Sequence, residues 1–240
     1  MKGLAVPSRV LAIGAHPDDI EFGCGATLAT WAASGATVHL LVLTDGSKGT
    51  WDPEVDVDEL VARRRAEQLE AAAVLGAAGV EFLDLLDGEL EAGRAERATV
   101  CAVIRRLRPD TVLGHDPWKQ YRIHRDHRQA GWLAIDGVVA ARDPLFFPER
   151  GAPHRPERLL LFEPEVVDHV EDARDGFEAK RTALLCHVSQ WRTTMGIEAG
   201  TPAERRQLEA FAARLQEEAE QLGAPYGFER AEAFKRLEPL

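Results

Sequence analysis

At 240 residues, 45% hydrophobic and 29% charged, the chain has the size and composition of one folded domain spanning 1–240, and a disordered or low-complexity class is excluded. A formal net charge of −11 argues against nucleic acid and anionic membrane as partners, since an acidic surface gains nothing by counterion release. No stretch approaches the ~18 uninterrupted apolar residues of a membrane span, and the N-terminus lacks a signal-peptide core, so a cytoplasmic protein with a small-molecule partner is expected.

The predicted elements alternate strand and helix. A buried-type strand at 9–14 leads into Ala15-His16-Pro17-Asp18-Asp19-Ile20-Glu21, then a turn and an Ala-rich helix at 26–34 closed by Gly35. A second strand at 37–44 has no interior polar break, as a parallel strand covered on both faces requires, and opens into a glycine-rich polar loop at 45–53. A helix follows at 58–75, a third strand at 80–86 runs into Asp87-Gly88, and a helix at 95–107 ends before Pro109. The fourth strand, 110–114, precedes His115-Asp116-Pro117-Trp118-Lys119-Gln120-Tyr121-Arg122-Ile123-His124-Arg125-Asp126-His127 and a helix at 128–141. Beyond a loop at 142–158, the pattern predicts strands at 159–162 and 166–170, a helix at 176–187, a charged amphipathic helix at 203–222 and a late strand at 231–237.

This alternation implies an α/β fold: a Rossmann-like, mostly parallel sheet with helices on both faces and a less regular C-terminal part. With strand order 3-2-1-4-5, the loops after strands one and four meet at the topological switch point, where such folds bind ligands. His16, Asp18 and Asp19 lie on the first loop and His124, Asp126 and His127 on the second. His16 and Asp19 are three apart, as are His124 and His127, a spacing that puts both members on one side of a first helical turn. Two imidazoles and a carboxylate with an open position form the ligand set of catalytic zinc, and the same set holds ferrous iron. His16, Asp19 and His127 are therefore expected to bind metal, leaving Asp18 and His124 for proton transfer. A nucleotide-binding glycine loop is disfavoured, because Gly23-Cys24-Gly25 lacks the third glycine. Cys24, Cys101 and Cys186 have no CxxC spacing and read as reduced thiols. His115-Asp116 reads as a pair supporting the metal histidines, and His187 as either rim or packing.

On Ala15-His16-Pro17-Asp18-Asp19 with Glu21, Arg64-x-x-Glu67, Leu75-Gly76, Asp87-Gly88, His124-x-Asp126-His127 and His187-x-Ser189-Gln190, the sequence resembles the LmbE-like, or PIG-L, family of zinc-dependent N-deacetylases. The resemblance covers about residues 10 to 190. It implies removal of acetyl from an N-acetylglucosamine-type conjugate, with Asp18 as general base and His124, charged and oriented by Asp126, stabilising the oxyanion. It further implies substrate contacts from Arg64 and Asp87, and self-association, which is frequent in the family. One departure is that some members carry a tyrosine two residues before the histidine, where this chain has Arg122, with Tyr121 one position earlier. Two other functions fit the same residues: an amidase of a larger thiol or sugar conjugate, and a non-catalytic, metal-dependent sugar-conjugate binder. An intact base beside an open metal position counts against the binder.

Overall fold

The computed structural model describes residues 3–240. Strands β1 (Arg9–Gly14), β2 (Thr37–Thr44), β3 (Gly79–Leu85), β4 (Thr111–His115) and β5 (Arg158–Phe162) form the parallel order 3-2-1-4-5, the order under which the two loops meet. Two further strands extend this edge: β7 (Ala231–Leu237) runs antiparallel to β5, and β6 (His169–Asp172) runs antiparallel to β7. Helices α1 (Asp19–Ala33), α2 (Val57–Val74), α3 (Arg94–Leu107), α4 (Arg125–Arg142), α5 (Phe177–Cys186) and α6 (Glu204–Gly223) complete the layers. Among the described residues, no helix is long and apolar enough to cross a membrane.

The two-residue period of β1 decides which helix covers which face. Leu11 and Ile13 pack with Val100, Ile104, Leu133 and Val138 of α3 and α4, whereas Val10 and Ala12 pack with Ile20, Leu28 and Trp31 of α1. Helices α1 and α4, which follow the neighbouring strands β1 and β4, therefore leave on opposite faces and open a crevice between their N-termini. Gly131 lets α4 close on the end of β4, because a Cβ there would lie 2.6 Å from the His115 carbonyl oxygen.

The first helix differs from expectation in an instructive way. It begins at Asp19 instead of residue 26 and breaks at Cys24, whose φ of −152° and ψ of 18° are not helical. The backbone bond that Ala26 N–H would make to the Phe22 carbonyl is replaced by an ion pair: Glu232 accepts from Ala26 and Thr27 at 3.1 and 2.8 Å. Lys180 completes the detour, donating to the Phe22 carbonyl at 2.7 Å and to Glu232 at 2.6 Å. Each end of the broken ladder thus meets a buried group of the sign it needs.

The loop predicted at 142–158 is ordered around Arg105 of α3, only 4% exposed. Its guanidinium donates to the carbonyls of Ala140, Ala141, Asp143, Phe146, Phe147 and Gly151. It closes the end of α4 and offsets the cost of burying its charge with a full set of acceptors.

Candidate metal centre and active site

The crevice gathers residues from β1, β3 and β4 around Asp19. The His16 amide donates to Asp19 Oδ2 at 2.7 Å, closing the turn that starts α1. The Asp19 carboxylate then faces three imidazoles: His16 Nδ1 at 3.2 Å, His127 Nε2 at 3.1 Å and His115 Nε2 at 3.3 Å. Ring nitrogens of His16, His124 and His127 also lie within 4.8 Å of one another. A hard carboxylate ringed by neutral-capable imidazoles in a buried crevice fits a divalent cation of the zinc or ferrous type. His16, Asp19 and His127, the expected ligands, are thus brought together, although 111 positions separate His16 from His127.

His16 turns its other nitrogen to two acids. Nε2 lies 3.2 Å from both Asp87 Oδ1 and Asp126 Oδ2. Burial would lower the His16 pKa, but the hydrogen bonds to Asp126 and Asp19 outweigh it and hold the pKa well above the ordinary value. An acid on the far nitrogen fixes the tautomer that offers Nδ1 to a cation.

This geometry corrects the expected role of Asp126. Its carboxylate accepts from His16, from the Gly88 amide at 2.6 Å and from the Leu90 amide at 3.3 Å, with no hydrogen bond to His124. The reason is helical: residues two apart do not share a face, so Asp126 is fully buried while His124, at the N-cap of α4, is exposed. His124 and His127, three apart, do share one, and their rings stack at 4.6 Å. Burial lowers the His124 pKa, and the imidazoles of His16 and His127 lower it further, so the ring is not held charged.

Asp18 sits in a different setting. Its φ of 100° is left-handed, a strain of ~1–3 kcal/mol for a residue with a side chain. Two side chains of α2, four residues apart on one face, hold this peptide from both ends. Gln68 Oε1 accepts the Asp18 N–H at 3.0 Å, and Arg64 Nη2 donates to the Pro17 carbonyl at 2.8 Å. One neutral and one charge-assisted bond, ~1 and ~1.5–3 kcal/mol, are enough to offset the strain. Burial raises the Asp18 carboxyl to about 6, with Arg64 at 3.9 Å opposing and Asp19 adding to the rise. For Asp19 burial also acts upward, but His127 and His115 prevail and hold its pKa well below the ordinary value.

Arg64 and Asp87, expected at the substrate, are committed largely to the protein. Arg64 is 3% exposed and also donates to the Gly46 carbonyl at 2.8 Å. Asp87 accepts the Lys48 amide at 3.0 Å and faces His16; burial acts upward on it, but the His16 bond prevails and brings its pKa to about 2. Both still line the cavity above the crevice, which measures about 1070 Å³. The cavity extends from His16 and Trp51 to an apolar wall that includes Phe177, Leu215 and Leu222. Tyr121 is 86% exposed and has no place in this cavity, whereas Arg122 turns inward to His115. His187 is packed, completely buried, with Nε2 3.7 Å from Glu21. Sequence reasoning missed Gln68, which also donates to Glu21 at 2.6 Å; its one signal is its position four residues after Arg64.

A doubly wound α/β sheet with a His/Asp cluster at its switch point defines a class of crevice proteins whose side chains can hold a metal ion. The family model PIG-L, GlcNAc-PI de-N-acetylase, matches residues 11–137. The chain belongs to this family. It is similar to the diacetylchitobiose deacetylase of Thermococcus kodakarensis, 39% identical over 187 residues that cover 76% of this chain and 70% of that protein. It is 29% identical to the 1D-myo-inositol 2-acetamido-2-deoxy-alpha-D-glucopyranoside deacetylase of Kineococcus radiotolerans, covering 85% of this chain and 74% of that one. In structure it is similar to the N,N'-diacetylchitobiose deacetylase of Pyrococcus horikoshii complexed with its inhibitor MPG, with a TM-score of 0.85 and 30% identity. That match covers 97% of this chain and 84% of the other.

Proposed function

We propose that the protein is a divalent-cation-dependent hydrolase that removes the acetyl group from an N-acetylglucosamine-type conjugate. The carrying observation is the opposed setting of two adjacent acids. Asp19 lies among imidazoles that hold it ionised as a ligand, while Asp18, raised to about 6, suits a base working near neutral pH. The names of relatives that act on diacetylchitobiose and on an acetamido-glucopyranoside supply the substrate class.

In this reading His16, Asp19 and His127 hold the cation, with zinc the natural fit and ferrous iron the other. When bound, the cation supplies Lewis acidity toward the acetamide carbonyl and acidifies water. Asp18 takes the proton of the attacking water at its carboxylate. His124, facing the cavity, donates a ring N–H to the developing oxyanion. Asp18 then holds the proton that the leaving nitrogen needs; His124, whose lowered pKa leaves the imidazole neutral, carries no extra proton to supply. Arg64 acts by holding the Pro17–Asp18 peptide and Asp87 by steadying His16, each with any sugar contact made from the cavity wall.

The test is acetate release from a panel of N-acetylglucosamine conjugates after chelation and restoration of zinc or ferrous iron. Acetate from at least one conjugate, dependent on the restored cation, is the expected result. Tight binding of a conjugate with no turnover under either cation would replace this reading with the sugar-conjugate binder. Release of a larger acid would replace it with the amidase.

A further inference from the structure

A chain of side chains reaches Asp19 from Glu163, on the cavity wall, through two buried links. Glu163 Oε2 accepts from Arg122 Nη2 at 2.7 Å, Arg122 Nη1 lies 3.0 Å from His115 Nδ1, and His115 Nε2 lies 3.3 Å from Asp19 Oδ2. The side chains of Arg122 and His115 are 6% and 1% exposed, and neither lines the cavity. The His115 ring is sandwiched as well, stacked on His127 at 4.5 Å and edge-on to Phe162 at 4.5 Å.

A guanidinium has donors only, so the His115 nitrogen facing it must present a lone pair. The ring proton is then on Nε2. A carboxylate accepts only, so Asp19 Oδ2 demands that same placement. The Ala15 amide, 3.4 Å from Nε2, would favour the opposite tautomer, but that contact is longer than the Arg122 one and would set a lone pair against a carboxylate. The Glu163 carboxylate, 3.8 Å from Nδ1, would also favour a proton there, but Arg122 stands nearer at 3.0 Å and takes that carboxylate itself, so the partner in contact at each end of the ring calls for the same tautomer.

We infer that Arg122 is a positioning residue for the metal centre: by fixing the His115 tautomer it turns the Asp19 carboxylate, and the stacked His127 ring, toward the cation. Arg122 holds the position where some members of the family carry a tyrosine, and here that position faces His115. This rests on the reading of Asp19 and His127 as ligands.

Two measurements on the full chain test it. In the zinc-loaded protein, imidazole ¹⁵N shifts of His115 are expected to show an unprotonated Nδ1 and a protonated Nε2; a protonated Nδ1 overturns the inference. In chelator competition, Arg122→Met is expected to bind zinc ~10–100-fold more weakly than the parent, with Arg122→Lys, which keeps one donor, in between. The Michaelis constant of the zinc-saturated variant is expected to stay at the parent value, because the residue lies outside the cavity. Zinc affinity unchanged in a folded Arg122→Met overturns the inference while leaving the ligand reading intact. Zinc affinity unchanged in Asp19→Ala removes the ligand reading itself, and the inference with it.

Discussion

Asp18 and Asp19 are joined by one peptide bond, yet their side chains belong to different regions of the molecule. Asp19 turns to the β4–α4 side, where His115 and His127 surround it with nitrogen. Asp18 turns to the α2 side, where Gln68 takes its amide and Arg64 is the nearest cation, at 3.9 Å. Both carboxyls are buried, so burial alone would push both upward; what separates them is contact, since His127 and His115 hydrogen-bond Asp19 directly, whereas Arg64, His187 and His16 act on Asp18 only through charge and Asp19 opposes them. Identical side chains meet opposite surroundings because a single left-handed residue aims them at opposite walls.

The strongest test of that contrast exchanges the acids one at a time. Asp18→Asn is expected to lower kcat by ~10²–10⁴ with zinc content unchanged, as for removal of a general base. Asp19→Asn is expected to lose zinc, read by metal analysis after dialysis. If both variants lose zinc equally, the division of labour fails. A smaller effect sharpens the α2 side. A base must be ionised to work, so activity falls as pH drops through the Asp18 pKa of about 6. Arg64 lowers that pKa, hence Arg64→Met is expected to move the acid limb of kcat/KM to higher pH; a shift to lower pH would mean that Arg64 does not act on Asp18. The smallest effect concerns the residue that faces neither wall: Tyr121→Phe is expected to leave turnover unchanged, since the ring is 86% exposed. A marked loss would place its hydroxyl in the reaction.

The parallel strands and the two donor-bearing loops are legible because both depend on local signals, apolar runs of strand length and donors spaced three apart, whereas the order 3-2-1-4-5 enters as a condition that the sheet meets. What escaped was set by partners distant in sequence. Arg105 reads as an ordinary basic residue near a helix end, since the carbonyls that bury it lie 35 to 46 positions further on. The family resemblance pairs Asp126 with His124, but a helical first turn sends residues two apart to different sides, and Asp126 goes to His16. The start of α1 was placed seven residues late because Gly23 and Gly25 mimic a turn, whereas Glu232 and Lys180 rescue the helix across the break.

That rescue has a consequence for how the molecule is held together. The break between the opening turn that carries Asp19 and the rest of α1 is bridged by a clasp whose acidic half comes from β7, 206 positions after Ala26. Strand β7 therefore works as a keystone: its Glu232 braces the break in α1 from the sheet edge, so the helix that begins at Asp19 is tied to the antiparallel end of the sheet.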